Sequence, residues 1–319
     1  MKIVYMGTPA FACPPLEALH NSRHEILTVV TGADKEIGRG RKIIPTEIAK
    51  QAEKLKIPIL KPASLKDASL YEMLSELKPD LIVVIAFRIL PKKLFMLPKY
   101  GSINIHGSLL PKYRGAAPIN WALINGEKET GLSAFYLKKK VDTGDIILRE
   151  KITIEDSDNF DSLYGKLSVL AAPFLLKTIE LIENGQAKPL PQDESVVSNA
   201  PKITPFDALI DFGFPASHVV NFVRGLSTKP GAYTFFRNKK LKILKATPVA
   251  DYQIKGIRPG TIVCTKKKLQ VQCANSAIEI SELLPEGKKI MDGISFINGN
   301  QPALNEIMGE IPKERKILE

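Results

Sequence analysis

The sequence predicts a two-domain α/β protein: an N-terminal doubly wound, mostly parallel sheet, followed by a C-terminal OB-like β-barrel domain. Three observations carry that expectation. The chain has 319 residues, more than one core usually fills, since cores stop growing near ~250–300 residues. Its first half alternates short apolar runs with helical patterns. One of those runs, DLIVVIAF (80–87), is nearly continuous and β-branched, as expected of a strand buried on both faces of a parallel sheet. Beyond a proline-bearing stretch the pattern changes to short strands with Gly- and Lys-rich turns, which reads as a small barrel.

The elements follow in order. KIVYMG (2–7) is a strand, and Leu16 and Leu19 after Pro14-Pro15 open a helix. HEILTVVT (24–31) is a second strand and PTEIAKQAEKL (45–55) a second helix. Apolar spacing from 65 to 77 predicts a helix leading into the 80–87 strand. GSINIHG (101–107) is a strand, 118–125 a short helix, 131–138 and 145–154 strands, and 160–184 a long helix stopped by Gly185. The stretch from 185 to about 205 holds four prolines and reads as a linker. A helix at 215–226 then precedes strands at 233–236, 240–246, 260–264, 269–273 and 277–283. The expected division is a catalytic domain at 1–186, a linker at 187–205 and a second domain at 206–319.

Composition narrows the function classes. With 44% hydrophobic and 25% charged residues the chain reads as an ordinary globular protein rather than a disordered or fibrous one. No window holds ~18 consecutive apolar residues, which argues against a membrane span. The MKIVYMG start reads as a core strand rather than a signal peptide, so a cytoplasmic location is expected. Cys13, Cys264 and Cys273 are too few and scattered for a disulfide framework or a zinc site, and no residues have metal-ligand spacing. The formal charge of +11 is uneven: residues 201–319 carry 18 basic against 11 acidic side chains, residues 1–200 carry 27 against 23. That excess permits a polyanionic partner without demanding one.

The MGTPAFA turn after the first strand lacks the glycines of a dinucleotide fingerprint, and there is no P-loop. The informative region is GSINIHGSLLPKYRGAAPIN followed by VDTGD. Asn104 and His106 lie two apart on a strand, so their side chains share a face, at the carboxyl end where α/β sheets bind ligands. Asp142 sits in a glycine-bearing loop able to fold back onto the pair. Together they form an imidazole beside a carboxylate with an amide able to donate to an oxyanion. Spacing alone leaves open a structural Asn, a satisfied core His and a turn Asp.

INIHGSLLPKYRGAAP with DTGD downstream resembles the folate-dependent formyltransferases, whose N-terminal domain is Rossmann-like. The opening MGTPAFA, the GRGRK run (38–42) and the basic C-terminal domain are similar to the members acting on methionyl-tRNA, over nearly the whole chain. The resemblance implies formyl transfer from 10-formyltetrahydrofolate to the α-amino group of initiator methionyl-tRNA, releasing tetrahydrofolate, by a monomer without a metal. It implies catalytic roles for Asn104, His106 and Asp142. It places folate contacts at Ser108, Leu109, Leu110 and Pro111, at Ile85, Phe87, Arg88 and Leu90 on the end of the 80–87 strand, and at Val141 beside the DTGD loop. It places tRNA contacts at Arg39, Arg41 and Lys42, and the phosphate backbone would follow Lys239, Lys240, Lys242, Lys266, Lys267 and Lys268.

Two departures stand out. Ala86-Phe87-Arg88 replaces the family's Ala-Tyr-Gly turn, and an Arg in place of Gly disfavours positive φ there. Lys138, Lys139 and Lys140 replace an acidic stretch and read as a solvated basic edge, with phosphate contact as the alternative. Rivals are family members acting on a small amine, such as a nucleotide sugar or glycinamide ribonucleotide, a 10-formyltetrahydrofolate hydrolase, or an RNA-binding protein built on the barrel. Small-substrate members do not need a basic second domain, and an RNA-binding protein leaves Asn104, His106 and Asp142 unexplained.

Overall fold

A computed structural model of the chain describes residues 1–37, 42–250, 256–264 and 266–310. The described residues form two compact units, one within 1–118, 129–153 and 163–201, the other within 119–128, 154–162 and 202–310.

The first unit opens with β1 (Lys2–Gly7), α1 (Cys13–His20) and β2 (Glu25–Val30). Next come the antiparallel pair β3 (Lys35–Ile37) and β4 (Lys42–Ile44), α2 (Glu47–Lys54) and β5 (Ile59–Leu60). The Thr46 hydroxyl caps α2 by accepting from the Ala49 N–H. The chain continues through α3 (Ala68–Glu76), β6 (Leu81–Ile85), α4 (Lys92–Phe95), β7 (Ser102–His106) and the two-residue β8 (Arg114–Gly115). In sequence order α5 (Pro118–Ile124), β9 (Glu129–Tyr136), β10 (Ile146–Thr153), α6 (Phe160–Glu183) and β11 (Asn199–Ala200) follow.

Seven strands form one sheet in the order β10-β9-β7-β6-β1-β2-β5. β5, β2, β1, β6 and β7 run parallel, while β9 and β10 add an antiparallel edge. The chain winds outward from β1 to β2 and β5, then returns to β6 and β7 on the other side. The switch therefore lies between β1 and β6, and the crevice beyond the carboxyl ends of these strands is where such sheets take ligands. The alternation of Ile82 and Val84 with Leu81, Val83 and Ile85, all buried, shows why the β6 sequence reads as one apolar run: both of its faces are covered.

In the second unit α7 (Ala216–Leu226) accompanies a curled antiparallel sheet, a half-barrel. It is built from β12 (Tyr233–Phe236), β13 (Lys239–Pro248), β14 (Ile262–Cys264), β15 (Leu269–Gln272) and β16 (Ala277–Pro285), in the order β12-β13-β16-β15-β14. β17 (Met291–Asp292) pairs with β16, and α8 (Gly293–Asn300) closes the unit. Its core gathers Val219, Val223 and Leu226 of α7 with Leu241, Ile243, Val271, Ile278, Ile280 and Phe296. Each of the five strands expected from the sequence is present.

The proline-bearing stretch expected as a linker is bonded into the first unit as far as residue 201. Leu190 exchanges backbone hydrogen bonds with Ile146, and β11 pairs in parallel with β8. Proline removes backbone donors but leaves carbonyls and the intervening residues free to bond, so a proline count alone does not mark a linker.

Candidate active site

β7 positions the first two expected residues. Ile103 and Ile105 point into the core, which turns Asn104 and His106 to the opposite face. Asn104 is half-buried between Val84 of β6 and Phe135 of β9, and His106, the last residue of the strand, is buried. His106 Nε2 lies 2.8 Å from the Tyr113 carbonyl oxygen. A carbonyl only accepts, so Nε2 carries the proton and the neutral ring keeps its lone pair on Nδ1. Nδ1 faces Asp142 Oδ2 at 3.9 Å, and both side chains are 8% exposed.

The structure thus brings His106 and Asp142 together. The hydrogen bond that orients the imidazole comes from Tyr113 rather than from Asp142, whose Oδ2 instead accepts from the Gly115 N–H at 2.9 Å. Asp142 itself has φ +53°, and Tyr113 φ +62°, left-handed backbone that costs a non-glycine residue on the order of 1 kcal/mol. Gly115, at φ +127°, approaches the Ala200 carbonyl too closely to admit a Cβ. Gly144 likewise lies against the Tyr136 carbonyl, so the DTGD loop closes on β9 only because it carries glycine there.

The loop after β7 is pinned from behind. Ser133 Oγ donates to the Ser108 carbonyl and accepts from the Leu110 N–H, Ser108 Oγ donates to the Lys112 carbonyl, and Arg149 Nη1 donates to the Leu110 carbonyl. Ser108, Leu110 and Pro111 are buried, leaving the backbone and half-buried Leu109 as what this loop can offer a ligand. Beyond Ile85 the β6 strand leaves both neighbours. The left-handed residue of the turn is Ala86, at φ +49°, so Arg88 needs no positive φ. Arg88 instead donates to the Pro62 and Ala63 carbonyls and lies 5.2 Å over the Phe87 ring. Phe87 is half-buried and Leu90 buried against the sheet's core, while Ile89 and Val141 are exposed.

Of the expected basic residues, Arg39 and Arg41 lie outside the described residues, as does the side chain of Lys42 at the start of β4. Lys239, Lys266 and Lys267 are exposed. The other three are engaged: Lys240 Nζ sits 3.6 Å over the Tyr233 ring, Lys242 Nζ donates to the Pro230 carbonyl, and Lys268 pairs with Glu279 at 2.8 Å. Lys138 is paired with Asp145, while Lys139 and Lys140 are exposed. Among the described residues no group of three His, Cys, Asp or Glu side chains could hold a metal, and no helix is long and apolar enough to cross a membrane.

Residues 1–179 match the formyl transferase model and residues 202–301 match the formyl transferase C-terminal domain. The chain belongs to the formyl transferase family. A methionyl-tRNA formyltransferase of Alkaliphilus oremlandii is 42% identical over 312 residues, spanning 97% of this chain and all of that protein. Among solved structures, the sugar 3N-formyl transferase WlaRD shares the fold at a TM-score of 0.67 and 21% identity, with 91% of this chain and 99% of that one covered. HypX from Aquifex aeolicus, solved with tetrahydrofolic acid, superposes at 0.62 and 18% identity over 96% of this chain. The chain spans about half of HypX, 48% of its length. The mostly parallel sheet with the curled antiparallel one is the formyl transferase architecture.

Sequence reasoning missed two participants, the Tyr113 carbonyl and the Gly115 N–H. Both are backbone groups, a carbonyl that every residue type supplies and an N–H that all but proline supply, so residue identity gave no signal except the glycine itself.

Proposed function

We propose that this chain transfers the formyl group of 10-formyltetrahydrofolate to the α-amino group of initiator methionyl-tRNA, with Asn104, His106 and Asp142 as its catalytic residues. The observation that carries the chemistry is the His106–Asp142 pair, buried at the carboxyl end of β7 with its tautomer set by Tyr113 and with Asn104 on the same face. The acceptor follows from the name and near-complete coverage of the methionyl-tRNA formyltransferase relatives, and from the excess positive charge of residues 201–319.

10-formyltetrahydrofolate supplies a formyl carbon on a nitrogen leaving group. Phe87, Leu90 and Val141 would line its flat ring, with backbone of 86–90 and of the 108–111 loop at its polar edge. Asn104 Nδ2 donates to the formyl oxygen as negative charge develops there. His106 Nδ1, the one unprotonated ring nitrogen, accepts the proton that the attacking amine loses, while Nε2–H stays on Tyr113. Asp142 Oδ2, across 3.9 Å, stabilises the imidazolium and passes a proton toward the departing nitrogen. Each such group is typically worth ~10²–10⁴-fold in rate.

Lys239, Lys266 and Lys267 supply exposed positive charge for tRNA phosphates, and Arg39, Arg41 and Lys42 complete the grip at the acceptor end. Catalytic trio and supporting backbone all come from one chain, so a monomer suffices. A cytoplasmic location accords with a translation substrate. The test is purified protein with 10-formyltetrahydrofolate and charged initiator tRNA, the aminoacyl group then read by mass spectrometry. A gain of one formyl group, absent with a small primary amine in place of the aminoacyl-tRNA, is the expected result. Formylation of the small amine alone would reassign the acceptor.

A further inference from the structure

Residues 180–201 lie between the two family matches, yet one stretch of them reaches the site. Gln192 Nε2 donates to the Asp142 carbonyl at 2.9 Å and to the Gly144 carbonyl at 2.8 Å. Its Oε1 accepts from Arg114 Nε at 3.0 Å and from Arg114 Nη2 at 2.7 Å. The assignment of the two amide atoms is forced, because carbonyls only accept and guanidinium only donates. All four bonding positions of the carboxamide are used. A carboxylate would set charge against two carbonyls, and an apolar side chain would leave those carbonyls and a buried guanidinium without this partner. Arg114 is 7% exposed and is held on its other side by Glu194, whose carboxyl the hydrogen bond to Arg114 keeps below the usual range.

Backbone continuity closes a ring. Gly115, next in sequence to Arg114, donates its N–H to the Asp142 carboxylate, and Tyr113, on the other side, holds His106. This three-residue platform is itself tied to the same late stretch. The Tyr113 N–H donates to Ser198 Oγ, the Arg114 N–H to the Ser198 carbonyl, and the Ala117 N–H to the Ala200 carbonyl. Asp142 is therefore fixed twice, at its carboxylate through Gly115 and at its left-handed backbone through Gln192.

We infer that Gln192 is a positioning residue for formyl transfer, holding Asp142 in register with His106, and that residues 192–200 act as a strap completing the active site. The inference rests on the catalytic roles proposed for His106 and Asp142. Misplacing a reacting group by about 1 Å can cost ~10²-fold in rate, and loss of an orienting partner typically ~10–100-fold.

The test is steady-state kinetics on Gln192→Ala, Asp142→Asn and the double variant, with thermal unfolding measured in parallel. The expected result for Gln192→Ala is a ~10–100-fold loss of kcat with both KM values within about threefold of wild type. Because Gln192 acts through Asp142, adding Gln192→Ala to Asp142→Asn should change kcat by less than about threefold. Gln192→Glu, which keeps the Arg114 contact and loses both donors, should fall at least as far as Gln192→Ala. If Gln192→Ala fails to fold, Gln192→Glu and Ser198→Ala carry the same comparison.

Unchanged kcat, a loss confined to KM or to thermal stability, or full additivity with Asp142→Asn would overturn the inference. Wild-type kcat in Asp142→Asn alone would instead sink the reading of the catalytic trio.

Discussion

The corner around His106 and the exposed lysines of the second unit use polar side chains in opposite ways. At the corner, His106, Asp142 and Arg114 are buried, each has a named partner at a fixed distance, and the backbone at Tyr113 and Asp142 is held left-handed. On the second unit, Lys239, Lys266 and Lys267 stand in solvent, on a strand start and a turn. Proton transfer depends on placement to within a fraction of an ångström, whereas attraction to phosphate depends on charge density, which flexible side chains supply without order. Substitutions at the corner should therefore act singly and steeply, and those of the exposed lysines collectively and gently.

The largest expected effect is at the amide and imidazole. Asn104→Ala and His106→Ala should each lower kcat ~10²–10⁴-fold, with tRNA affinity, measured by filter binding, within about threefold of wild type. A matched loss of affinity would erase the contrast between the two regions. Next come the close glycines. Gly144→Ala should lower kcat by ~10²-fold and stability by about 1–3 kcal/mol, read from denaturant unfolding, because a Cβ there meets the Tyr136 carbonyl. Wild-type behaviour would mean the DTGD loop does not rest on β9.

The exposed lysines should respond to salt rather than to single changes. The triple substitution Lys239→Ala, Lys266→Ala, Lys267→Ala should flatten the plot of log affinity against log salt by roughly 0.7–0.9 for each phosphate that is no longer neutralised, with kcat at saturating tRNA unchanged. An identical slope would move the tRNA-binding surface elsewhere.

The smallest effect concerns an ion pair in the second unit. Arg237 Nε and Nη2 reach Glu306 at 2.6 and 2.9 Å, and that hydrogen-bonded guanidinium holds the Glu306 carboxyl below the usual glutamate range. A depressed carboxyl contributes stability above its unfolded-state pKa and loses it as pH falls through the folded one. Glu306→Gln should accordingly cost roughly 0.2–1 kcal/mol near pH 7 and nothing once the pH is below that depressed value, as followed by thermal melts across pH.

What was legible in the sequence follows the same division. Strands such as β6 and the five of the half-barrel announce themselves because burial on one or both faces dictates residue type locally. Asn104 and His106 drew attention as polar side chains two apart at a strand end, and Asp142 as a loop carboxylate near them, but spacing alone left a structural reading open and only the resemblance implied catalytic roles. The β8–β11 pairing was not: two residues pair with two others about 85 positions away, and prolines around them read as a linker. The turn after β6 shows a subtler case. The resemblance to the formyltransferases led to an expectation of glycine at Arg88 and so to the question of positive φ, yet the structure puts that conformation earlier in the turn, on Ala86. Gln192 was invisible for a different reason: its partners are backbone carbonyls and a side chain far away in sequence, and a lone Gln carries no periodicity.

The central claim, chemistry by the β7 corner on an aminoacyl-tRNA, is tested most directly by one mass-spectrometric time course. Wild type and Asn104→Ala are each given 10-formyltetrahydrofolate and saturating charged initiator tRNA, and N-formylmethionine is quantified after release from the tRNA. The expected result is stoichiometric formylation by wild type and a rate at least ~10²-fold lower in the variant. Equal rates, or no formyl-methionine from wild type, would contradict the account.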